Sequence, residues 1–327
     1  MIIASSQNLA RDLSNQPGNA LPPAELARRA RQVARDVGLR CQIFDEKQLA
    51  QKKMGGILAV GQGSVNPPRL VILEHKPKGT PAGSKPVCIV GKGITFDSGG
   101  ISLKPGAGMH AMKHDMSGAA TVVGTLRACA LLSLPVHVVG LVSAAENLPD
   151  AKAYRPGDVI TTLSGKTIEV LNTDAEGRIV LADALTHAAK TFKPEAMIDL
   201  ATLTGACLVA LGKTITAMLG SDAELMKRIS AAGENVAEPV WQLPLRPEHT
   251  QAIKSKVADV KNTGGRDAGT ITAAAFLAEF IHGTPWTHLD IAGTADTLKP
   301  NSTEALGATG VGVRMLVDML QSWKKLH

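Results

Sequence analysis

The 327 residues are 44% hydrophobic and 20% charged, with a formal net charge of +6, the balance of a globular chain that buries a core without covalent staples. Four scattered cysteines, Cys41, Cys88, Cys129 and Cys207, form no C-x-x-C pair, so neither a disulfide scaffold nor a cysteine zinc site is supported, and reduced thiols fit a cytoplasmic protein. No apolar run approaches the ~18 residues that span a bilayer, and the opening MIIASSQNLARDL lacks the cationic leader of a secretory signal.

After the turn residues Asn15 to Pro23, Leu26, Ala27, Ala30, Val33, Ala34 and Val37 recur at helical spacing opposite Arg28, Arg29, Arg31, Gln32 and Arg35, which predicts an amphipathic surface helix over 24–37. Residues 1–90 hold 13 Lys and Arg against 6 Asp and Glu, while residues 91–327 hold 22 against 23, so the positive excess is confined to the first quarter. Nine aromatic residues in the whole chain leave few platforms for stacked bases, and a solvated basic face is the simpler reading than nucleic-acid binding. Nearly continuous apolar runs at 69–73, 87–90, 136–142, 196–201 and 287–292 predict strands covered on both faces. Helical candidates lie at 118–132, 178–190, 223–232, 272–281 and 310–323, residues 76–86 read as a loop, and the alternation predicts an α/β layer fold.

Three segments gather charge near predicted strand ends. VGKGITFDSGGISLKPG carries Lys92, Asp97 and Lys104, with Gly91, Gly93, Gly99 and Gly100 as bend points; MHAMKHDMSGAA carries Asp115; VLNTDAEGRIVLADAL carries Asp174, Glu176 and Arg178. Carboxylates crowded beside apolar strand ends repel one another unless a cation joins them, and four of them can hold two divalent ions roughly 3.5–4 Å apart. Taken alone, Asp115 reads equally as a helix N-cap, and Lys92 as an ion-pair partner. His110 and His114 would share a helix face, but the Glu of H-E-x-x-H is absent. Gly91-x-Gly93 lacks the third glycine of a dinucleotide fingerprint, which here is Phe96, and Asn301-Ser302-Thr303 reads as a turn.

NTDAEGR, with VGKGITFDSGG and MKHDM, resembles the M17 leucyl (cytosol) aminopeptidases, and the likeness extends from NLARDLSNQPGNALPP through AYRPGDVI, ATLTGACLVALG, NTGGRDAGTITAAAFL and WTHLDIAGTA to the last helix. The resemblance implies that residues 1–327 form one catalytic domain, with residues 1–20 resembling the junction to an absent N-terminal domain. It implies three layers, a mixed, mostly parallel sheet between helices, and two divalent metals per subunit, Mn or Zn before Mg or Co. One metal would be held by Asp97, Asp174 and Glu176, and the other by Asp97, Asp115, Glu176 and the neutral amine of Lys92. Lys104 would polarise the substrate carbonyl and Arg178 anchor a bicarbonate base. Met112, Asn172, Ala175, Thr202, Leu203 and Gly205 would line the substrate site. Further implications are peptide substrates with a leucine-like first residue, a cytoplasmic location and a homo-oligomer, hexameric, or trimeric if the chain is truncated. Two other functions fit parts of the pattern: a metal-dependent phosphoesterase, and a non-catalytic DNA-binding or scaffold member using the basic first quarter.

Overall fold

The computed structural model describes residues 1–297 and 306–326; the Asn301-Ser302-Thr303 motif lies outside them. An eight-stranded sheet runs in the spatial order Arg40–Phe44, Arg69–His75, Val138–Asn147, Val87–Asp97, Ala196–Ala201, Trp286–Asp290, Thr216–Gly220 and Val240–Gln242. Val87–Asp97 pairs in parallel with both of its neighbours, and Ala196–Ala201 also pairs in parallel with Trp286–Asp290. Arg69–His75 and Thr216–Gly220 join antiparallel, which makes the sheet mixed.

Helices cover both faces. Ile2–Asn15, Pro23–Val37, Ser117–Leu131, Ala223–Asn235 and Val313–Gln321 pack on one side, around Leu13, Leu26, Val122, Leu225 and Leu316. Gly55–Gly61, Gly177–His187 and Gly269–Ala278 pack on the other, around Ile57, Val180 and Phe276. Every residue of Val138–Asn147 and of Ala196–Ala201 is buried, in keeping with their nearly continuous apolar character. Among the described residues no helix is long and apolar enough to cross a membrane.

The predicted helices and strands all form, with shifted ends. The largest shift is at the strand predicted to end at Val90, which continues to Asp97. Gly91 and Gly93 are therefore strand residues rather than bends. A Cβ on Gly91 would lie 2.5 Å from the Gly118 carbonyl oxygen, so glycine there admits the start of helix Ser117–Leu131 against the sheet. The sharp bend comes instead at Gly99 and Gly100, whose φ values are +88° and +65°. Further elements not predicted include helix Ile2–Asn15, the edge strands Arg40–Phe44 and Val240–Gln242, the inner strand Thr216–Gly220, and a small sheet of Val260–Lys261, Thr167–Glu169 and Val159–Thr161. These pieces are short or mixed in polarity, and apart from the hairpin of Val159–Thr161 with Thr167–Glu169 their partners are distant in sequence. The central parallel strands all end on one edge, which brings Asp97, Thr202 and Asp290 to the same crevice.

Candidate metal centre

Lys92 lies on the sheet face of Val90 and Ile94, beneath helix Gly177–His187. Its stem fits because residue 177 has no side chain: a Cβ there would lie 2.5 Å from Lys92 Cε. Lys92 Nζ donates to Asp115 Oδ1 at 2.8 Å and to the Thr202 carbonyl at 2.9 Å, and it stands 2.8 Å from Glu176 Oε1. Asp115 is not a helix cap. The helix begins after Met116 without a side-chain cap, and Asp115 Oδ1 instead accepts from Lys92 and from Thr202 Oγ1 at 2.7 Å.

Asp97 ends its strand, and its Oδ1 accepts from Gly99 N at 2.9 Å and Asn147 Nδ2 at 2.8 Å. Lys104 returns from the Gly99–Gly100 bend to place Nζ 2.9 Å from Asp97 Oδ2 and 2.5 Å from Asp174 Oδ1. The loop carrying Asp174 is clamped from three sides. Asn262 accepts from Leu171 N at 2.8 Å and donates to the Asn172 carbonyl at 2.6 Å; Thr173 Oγ1 donates to the Gly99 carbonyl at 2.6 Å; and the Thr173 carbonyl accepts from Tyr154 Oη at 2.8 Å and Asn147 Nδ2 at 3.0 Å.

The electrostatics are those of a crowded, water-poor site. Burial pushes the carboxyls of Glu176, Asp115 and Asp174 above their ordinary values, and Asp97 adds repulsion, against the opposing pull of the neighbouring lysines. Burial also works against the ammonium groups of Lys92 and Lys104, but the surrounding carboxylates overcome it and hold both above the usual lysine range. Lys92 in this structure is therefore an ion-pair partner. Arg178 is buried without an ion-pair or hydrogen-bond partner among the described residues, and burial lowers its guanidinium to about 10.

The donor set fits divalent cations. Carboxylate oxygens of Asp97, Asp174 and Glu176 lie within 4.8 Å of one another, and the buried Asp115 Oδ2 has no hydrogen-bond partner. Hard oxygen donors of this kind take Mg, Mn or Zn.

These groups line a cavity of about 580 Å³ that also contains Met112, Asn172, Ala175, Thr202, Leu203, Gly205 and Arg178. Every residue that the resemblance assigns to the site lies at this cavity except Glu176, which stands beside Lys92. The sequence did not reveal Asn147, Tyr154, Asn262 or Asp290. Asp290 accepts from Thr204 Oγ1 at 2.6 Å, Leu203 N at 3.1 Å and Ala292 N at 3.1 Å, so it fixes the loop beside the cavity. It lay within a predicted strand, where a single Asp carries no signal. His110 and His114 do not share a face, because Met109–His114 is a 3₁₀ helix in which residues four apart diverge; His114 Nδ1 contacts the Ser14 carbonyl at 2.7 Å.

Residues 8–317 match the family model described as "Cytosol aminopeptidase family, catalytic domain". The chain is 57% identical over 313 residues to a probable cytosol aminopeptidase of Syntrophotalea carbinolica, and 54% identical over 324 residues to one of Chlorobaculum parvum. The chain belongs to the M17, or cytosol aminopeptidase, family. These alignments cover 96% and 99% of the chain, which spans 62% and 64% of the two relatives' lengths. The M17 fold is matched by a solved bottromycin maturation enzyme, BotP in complex with Mn, with a TM-score of 0.94 and 42% identity across 98% of this chain and 70% of that one.

Proposed function

We propose that residues 1–327 act as one catalytic unit of a two-metal aminopeptidase that removes the N-terminal residue of peptides. The observation that carries this reading is the convergence of Asp97, Asp174 and Glu176 on one set of oxygens, beside two lysines and an unpaired arginine, in an M17 cavity. Asp97, Asp174 and Glu176 would hold one metal, and Asp97, Asp115, Glu176 and Lys92 would hold the second. When bound, the cations lower the pKa of water and offset charge developing on an amide under attack.

The chain's own groups supply the rest. Lys92 joins the donor set only after losing its proton, and Thr202 and Asp115 keep its nitrogen aimed at the site meanwhile. Lys104 pairs with Asp97 and Asp174, and with those carboxylates engaged by cations its ammonium would be free to face the scissile carbonyl and stabilise the oxyanion. Arg178, a buried guanidinium without a carboxylate partner, anchors bicarbonate as the base. The apolar walls Met112 and Leu203 favour a leucine-like first residue.

The chain acts in the cytoplasm as a homo-oligomer, a trimer or hexamer. Helix Gly205–Leu211 supports assembly: it is almost wholly apolar, yet Val209 is 90% exposed. Chelation abolishes hydrolysis of Leu-p-nitroanilide, Mn or Zn restores it, and p-nitrophenyl phosphate is left intact. Full peptidase activity in a rigorously metal-stripped sample, or hydrolysis of the phosphate ester alone, refutes the reading.

A further inference from the structure

The cavity that holds the carboxylates at its buried end carries two cations of a different kind at its rim. Lys213, just beyond helix Gly205–Leu211, and Arg266, just before helix Gly269–Ala278, both line it and both are exposed. Neither has an ion-pair or hydrogen-bond partner among the described residues, unlike Lys92 and Lys104, whose charges are spent on the site carboxylates. Among the described residues that line the cavity outside the carboxylate and lysine cluster and Arg178, the other titratable groups are Asp296 and His114, so there the two cations face one carboxylate. Depth and rim thus differ in sign: acidic where a peptide's amino group must enter, basic where the rest of the chain must leave.

We propose that Lys213 and Arg266 form an anion subsite that recognises a carboxylate one residue beyond the scissile bond, so that dipeptides are preferred substrates. This rests on the aminopeptidase reading above. An extended residue advances the chain by about 3.3–3.6 Å, so the carboxylate of a dipeptide bound with its amine at the acidic end points toward the rim, and about 580 Å³ accommodates a ligand of that size. The same carboxylate could belong to a free C-terminus or to an acidic side chain, and both present the same chemistry to a lysine and an arginine.

The test compares Leu-Gly, Leu-Gly-amide and Leu-Asp-amide on the metal-loaded wild type, Lys213→Gln, Arg266→Gln and the double variant. The wild type favours Leu-Gly over its amide about five- to tenfold in kcat/KM, mostly through KM, the size expected of one or two solvent-facing ion pairs. That ratio falls to about one in the double variant and shrinks in 1 M salt. Parallel behaviour of Leu-Asp-amide assigns the subsite to acidic side chains as well; its absence confines it to the C-terminus. A ratio near one in the wild type, or one that survives the double substitution, overturns the proposal. Should no peptide turn over, the aminopeptidase reading fails separately, and calorimetric titration with Leu-Gly and its amide still decides the subsite. Equal affinities refute it, and a difference lost in the double variant supports it.

Discussion

Replacing Lys92 by methionine keeps most of the stem and deletes only the charge that Asp115, Glu176 and the Thr202 carbonyl surround at 2.8–2.9 Å. The Lys92 side chain is 4% exposed and that of Glu176 1%, so water cannot take the ammonium's place. Removing one partner of a buried ion pair costs about 3–5 kcal/mol. At about 2.1 cal/mol/K per residue, an unfolding entropy of roughly 0.7 kcal/mol/K for 327 residues turns that cost into a fall of about 4–7 °C in Tm, when metal is withheld.

The sign of the pH dependence follows from burial. Asp115 and Glu176 titrate above their ordinary values even beside Lys92, and without it they rise further. Groups whose folded pKa is raised keep protons that the unfolded chain releases, so their contribution is present at low pH and lost as pH rises through the folded value. The deficit of Lys92→Met is therefore smaller at pH 5 than at pH 8. Scanning calorimetry of chelator-treated wild type and variant at both values checks this. Equal melting temperatures at pH 8 would mean that Lys92 does not neutralise the buried carboxylates, and the electrostatic account of the site would fall.

Lys104→Ala lowers kcat by about 10²–10³ with little change in KM, the outcome that the oxyanion role proposed for it requires; steady-state kinetics that show only a KM effect assign it to substrate binding. Asp174→Ala and Glu176→Ala each lose at least one metal equivalent in calorimetric titration while the circular dichroism spectrum is kept. Gly177→Ala places a methyl 2.5 Å from Lys92 Cε and 2.8 Å from its Nζ, and denaturant melts should show about 1–3 kcal/mol of destabilisation from this overpacking. Burial, with a smaller push from Lys52, lowers His187 to about 4 from the ordinary 6.5. The unfolded chain takes up this proton first as pH falls, so stability is lost between pH 6.5 and 4, and His187→Gln should flatten that part of the stability–pH curve.

The layer class, and most of the residues proposed to form the site, were legible in the sequence. Nearly continuous apolar runs such as RLVIL and AMIDLA read as strands covered on both faces, and NTDAEGR, VGKGITFDSGG and MKHDM single out the carboxylates and lysines through their likeness to M17 motifs, since each charge taken alone reads equally as a cap or an ion pair. The sequence also carried the family, through motifs that span nearly the whole chain. What tertiary structure alone decided is which charge meets which. Asp115 looks like a cap until a parallel strand brings Thr202 and Lys92 to it, and Gly91 looks like a bend until helix Ser117–Leu131 is seen to press on it. Asn147, Asn262 and Asp290 hold loops 26 to 91 residues away in sequence, and Lys213 and Arg266 share a rim although more than fifty positions separate them. Periodicity and motif spacing report only the local backbone, whereas these partnerships are set by strand order and register, which long-range packing fixes.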